Sequence, residues 1–142
     1  MLHGTHTKKN EIREDNEVYL TGFENWLINK GLSKKTINTH ISNVEFYINE
    51  YLCYDALDVS HGIHEINDFL GNWFIRKAAW SSCDHIKKIA SSIKKFYAYL
   101  LEDNVIEQDD YDVLCCTIKE YLPYWLEEMR RYEATLFEGY YY

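Results

Sequence analysis

Residues 31–52, GLSKKTINTHISNVEFYINEYL, decide the fold. Ile37, Ile41, Val44, Ile48, Tyr51 and Leu52 recur at intervals of three or four, the spacing that gathers side chains on one face of an α-helix. Ser33 stands where an N-cap belongs, since its hydroxyl can accept from an amide one turn further on. Gly31, just before it, suits the left-handed residue that stops a preceding helix.

The same period extends in both directions. Upstream it predicts a first helix over residues 16–30, with Val18, Leu20, Phe23, Trp26 and Leu27 on or near one face, preceded by a flexible polar arm, residues 1–15. Downstream, a linker over residues 53–62 leads to a third helix ending near Lys77, whose Ile66, Phe69, Leu70, Trp73 and Phe74 share a face. Ser81 or Ser82 then caps a fourth helix reaching Leu101, with Ile86, Ile89, Ala90, Ile93, Phe96, Tyr97 and Leu100 inward. After the acidic loop 102–110, Val113, Leu114 and Ile118 begin another helix, which Pro123 either interrupts or restarts; Trp125, Leu126, Met129 and Tyr132 continue the spacing. The 140–142 tail has no readable fold. With one proline, six glycines and no strand pattern, the chain is all-α. It divides into the arm, a helical domain over residues 16–107, and an acidic, aromatic-rich helical extension over residues 108–142.

A chain of 142 residues makes one domain, and 46% hydrophobic residues supply its core, which excludes a disordered chain. No apolar run approaches the 18 or so residues of a membrane span, and the N-terminus lacks a signal-peptide pattern. The expectation is a cytoplasmic protein with no membrane partner and no cofactor. Cys53, Cys83, Cys115 and Cys116 lack a disulfide framework and read as reduced thiols. The formal charge of −8 argues against indiscriminate coating of nucleic acid. Its distribution is uneven, however: residues 24–100 carry nine basic and eight acidic groups, net +1, and residues 101–142 three and eleven, net −8. An anion-binding surface therefore belongs in the first two thirds.

Two segments in sequence carry a resemblance. Residues 31–52, where Leu32 and Ser33 open a helix and Thr36 follows three positions on, precede residues 85–107, HIKKIASSIKKFYAYLLEDNVIE, where Lys95, Phe96, Tyr97, Tyr99 and Leu100 end a helix before an acidic turn. Together, over about residues 18–107, they resemble the N-terminal SAM-like core-binding domain of tyrosine recombinases, the phage-integrase family. The resemblance implies an orthogonal bundle of four to five helices that clamps one face of duplex DNA and hands it to a separate catalytic domain. The family's chemistry uses an Arg, a Lys, a His-x-x-Arg element, a further His or Trp, and a Tyr nucleophile. Here the nearest candidate, His85 to Lys88, reads His-x-x-Lys within the core-binding segment. The expectation is a non-catalytic DNA-binding module, with a recombinase protomer or a second copy as a further partner. The Leu122-Pro123 pair resembles the family's passage from linker to catalytic domain.

Two basic faces are candidates for DNA contact. On the fourth helix, Lys87, Lys88, Lys94 and Lys95 interleave with Ser91 and Ser92 opposite the apolar stripe, offering charge and hydroxyls to phosphates. On the second, Lys34, Lys35, Thr36, Asn38, Thr39 and His40 occupy the first two turns, where free amides favour an anion. Both faces also read as ordinary solvated helix surfaces. Arg76 and Lys77 suit a helix C-terminus and rank third.

The alternative is a helical protein-interaction module, or a homodimer, that has lost DNA binding. Tyr124, Trp125 and Met129 would centre its surface, flanked by Tyr121, Leu122, Tyr132, Leu136 and Phe137; equally, this segment could pack back on the bundle. Metal readings are weak. His61/His64 and His3/His6 lack ligands at recognised spacing, adjacent Cys115 and Cys116 point to different helix faces, and Asp109, Asp110 and Asp112 fit a helix start better than a calcium loop.

Overall fold

A computed structural model describes the backbone of residues 2–141 and the side chains of residues 7–136. The side chains of His3, His6, Phe137 and Tyr140 to Tyr142 lie outside the described residues. Helix α1 is Leu2–Asn29, α2 Lys34–Glu45, α3 Gly62–Asp68, α4 Phe74–Lys77, α5 Cys83–Glu102 and α6 Gln108–Tyr141. A π-helical stretch, Phe46–Leu52, and a 3-10 turn, Cys53–Asp55, prolong α2. A second π-helical stretch, Phe69–Trp73, welds α3 to α4, leaving five helical rods and no strand among the described residues.

The stops and starts follow local chemistry. Gly31 adopts φ 81°, a left-handed conformation cheap only without a Cβ, and its amide donates to the Ile28 carbonyl at 2.9 Å as α1 ends. Ser33 caps α2 by accepting from the Thr36 amide at 3.2 Å. Ser82, not Ser81, caps α5, accepting from the His85 amide at 3.1 Å, while Ser81 donates to the Ile75 carbonyl. At the start of α6, Asp110 reaches back to the Glu107 amide at 3.1 Å, so the acidic cluster serves the helix terminus.

Residues 2–15, expected as a polar arm, are helical: α1 begins at Leu2, with Ile12 buried and Asn16 donating to the Ile48 carbonyl and to Asn49 Oδ1. An apolar contact one turn before Asn16 gives that segment a reason to stay helical. Val18, expected on the inner face, is 70% exposed, because the stripe of α1 runs through Ile12, Leu20, Phe23 and Leu27 instead. The C-terminal extension packs back on the bundle, one of the two arrangements its composition left open. Leu114, Trp125 and Met129 of α6 belong to the same core as Phe23, Val44, Phe69, Ile93 and Phe96.

Helix α6 continues through Pro123 as a single element. It docks where Gly71 leaves room: a Cβ there would lie 2.8 Å from Trp125 Cδ1. Buried Trp125 donates from Nε1 to Asn67 Oδ1 at 2.8 Å, so Trp125 and Met129 are core residues rather than centres of an interaction surface. Tyr124 alone of the three is exposed, its ring 6.0 Å from that of Tyr121.

Candidate nucleic-acid interface

The apolar stripes of α2 and α5 face one another through Ile37, Val44, Ile86, Ile89 and Ile93, all buried. Helical periodicity then turns the polar residues of both helices toward their shared outer edge. His40 and Asn43 of α2 meet Ser92 of α5 across this seam, at 2.7 Å from His40 Nδ1 and 3.0 Å from Asn43 Nδ2. Above the seam opens a cleft of about 440 Å³ lined by Lys35, Thr36, Thr39, His40, Asn43, Lys88, Ser91 and Ser92. It runs into a broader concavity on α2, lined by Lys34, Lys35, Asn38, Thr39, Ser42 and Asn43. No carboxylate lines either surface.

Ser92, expected beside Ser91 on the solvent face, is fully buried and forms the floor. Its hydroxyl donates to the Lys88 carbonyl at 3.1 Å, which commits its only proton. The oxygen therefore accepts from Asn43 and His40, placing the imidazole proton on Nδ1 and leaving Nε2 as an acceptor. Burial lowers the His40 pKa below its ordinary value of 6.5, and nearby Lys95 lowers it further. The floor is thus a neutral hydrogen-bonded lattice between cationic walls.

The remaining basic residues separate. Lys88 and Asp84 pair at 2.8 Å, both well exposed, an arrangement that water screens heavily. Lys94 lies on the far side of α5, in a groove shared with α6 and lined by Asp112, Cys115, Cys116, Ile118 and Lys119. Lys87 is exposed and lines neither surface. The Arg76 guanidinium sits 6.0 Å from the Tyr132 ring of α6. Ser42 and Asn43 are not singled out by the sequence pattern, although Ser42 lies four and three positions beyond Asn38 and Thr39, and Asn43 four and three beyond Thr39 and His40, where a helix repeats its face.

Against known proteins, no family model, no curated protein and no solved structure matches this chain. Its chemistry is therefore read from the cleft itself. Among the described residues, no group of His, Cys, Asp and Glu could hold a metal ion; His61 pairs with Asp58 at 3.1 Å. No helix among them is long and apolar enough to cross a membrane. All four cysteines are free thiols.

Proposed function

We propose that this chain is a non-catalytic module of the cytoplasm that binds duplex DNA through the α2/α5 cleft, as an integrase-type core-binding domain does. One observation carries the reading: two helices bring Lys34, Lys35 and Lys88, with hydroxyl and amide groups between them, around a carboxylate-free concave surface in an otherwise acidic protein, and Lys95 stands close enough to His40 to lower its pKa. Lysines, hydroxyls and side-chain amides are the groups that hold a phosphate backbone. The first turn of α2 adds unpaired amides and the positive end of its dipole. Strand cleavage is no part of this role, because His85 and Lys88, the nearest counterpart of a His-x-x-Arg element, are engaged with Ser82 and Asp84 at the start of α5.

The test is a titration of a 30-base-pair duplex with the wild type and with the double variant Lys35→Glu/Lys95→Glu. Wild-type affinity in the micromolar range, lost in the variant while its circular dichroism is unchanged, is the expected result. Equal binding by both proteins would overturn the assigned face. Absence of binding even at low salt would favour the interaction-module reading, for which exposed Val113, Tyr121, Tyr124 and Leu136 of α6 supply surface.

A further inference from the structure

Asn43 is the last residue on the α2 side that lines the cleft. Three residues on, along the same face of α2, comes Phe46, and three residues before Lys88, on α5, comes His85. Between them stands Trp80, whose ring centroid lies 5.3 Å from Phe46, 4.9 Å from Phe74 and 5.3 Å from His85. Half-buried Trp73 extends the cluster, 5.7 Å from Phe46. Trp80 is held by three rings yet remains 45% exposed. Along α2, Lys35 and Phe46 are eleven residues apart, about 16 Å at the helical rise, roughly the length of five stacked base steps.

Charge indicates from which side the platform is approached. Beyond Tyr51, whose hydroxyl lies 2.6 Å from Asp68 Oδ2 and 3.2 Å from Glu65 Oε2, its edge is acidic. On its other side Trp80 packs against His85, one helical turn from the cleft residue Lys88, whose neighbour Asp84 is paired with it. An anionic polymer therefore reaches the aromatic surface by way of the cleft. A blunt duplex gives such a surface little to hold, because its base faces are stacked on one another. An unpaired base offers a free π-face, and stacking on tryptophan accepts any base.

We infer that Trp80 is a stacking site for an unpaired nucleobase, so that the ligand is a nucleic acid in which single strand adjoins duplex. This rests on the cleft being a nucleic-acid surface, and the experiment separates the two. A blunt 20-base-pair duplex, the same duplex with a five-nucleotide overhang, and the overhang strand alone are titrated against the wild type, Trp80→Ala and Trp80→Phe. Wild type should bind the overhang duplex about tenfold more tightly than the blunt one. Trp80→Ala should erase that difference without weakening blunt-duplex binding, and Trp80→Phe, which keeps an aromatic face, should retain most of it. Equal affinity of the wild type for the two duplexes, or an advantage that survives in Trp80→Ala, overturns the stacking site and leaves the duplex reading standing. Binding of the single strand that depends on Trp80, without binding of the blunt duplex, overturns the duplex reading and leaves the stacking site standing. Failure of all three probes overturns both.

Discussion

At the residue scale, His40 links the cleft to pH. Its folded pKa lies below the ordinary 6.5 because burial disfavours the imidazolium and Lys95 opposes it. The unfolded chain then binds the proton more readily, so His40 leaves stability intact above about pH 6.5 and erodes it as pH falls below that value. Thermal midpoints measured from pH 7.5 to pH 5 should fall more steeply for the wild type than for His40→Asn, which has no group to titrate. Parallel curves would show that the His40–Ser92 contact does not carry this linkage. Trp125 gives a second residue-scale expectation. Replacing it with Ala empties a fully enclosed site and strands Asn67 Oδ1, so urea unfolding should register a loss of about 3–5 kcal/mol. Tyr124→Ala, one position away and exposed, should change stability by less than about 0.5 kcal/mol.

At the scale of elements, α6 carries its own internal cost. Pro123 has no amide to offer the Lys119 carbonyl and sits in the middle of a 34-residue helix. Relieving it by Pro123→Ala should raise the thermal midpoint, with a gain of up to about 3 kcal/mol. A lower midpoint would mean that the pyrrolidine ring of Pro123 helps seat Trp125. Elements were largely legible in the sequence because periodicity and caps are local: the second and fourth helices, Gly31 and Ser33 all stand where their chemistry places them. The misses were tertiary. Nothing around Ile12 marks it as buried until Asp58, Val59 and Val105 come beside it, and Trp125 looks like an exposed anchor until Gly71 opens a seat for it. Likewise, the spacing of Lys87, Lys88, Lys94 and Lys95 puts them on one half of α5, but only α2 and α6, packed on opposite flanks, divide Lys95 from Lys94.

For the whole molecule, the net charge of −8 and the cationic cleft coexist because the excess acid is concentrated after residue 100. At an ionic strength of 0.15 M, charges more than about 8 Å away are largely screened, so the cleft answers to its own lysines. With Lys34, Lys35, Lys88 and Lys95 each displacing one counterion, duplex affinity should drop on the order of 100-fold between about 50 and 200 mM salt. Lys87→Glu, outside the cleft, should leave that slope unchanged. A flat salt response would remove phosphate contact from the account.

The seat of Trp125 against Gly71 and Asn67 also orders the life of the nascent chain. Translation delivers α1 to α5 first, and at that moment the rod from Gly62 to Lys77 shows bare the apolar surface that Trp125 and Met129 will cover. A chain holding residues 1–107 alone would be a sticky bundle in need of a chaperone, even though the basic cleft is already in place, and release from that dependence would come only once Trp125 and Met129 have left the ribosome.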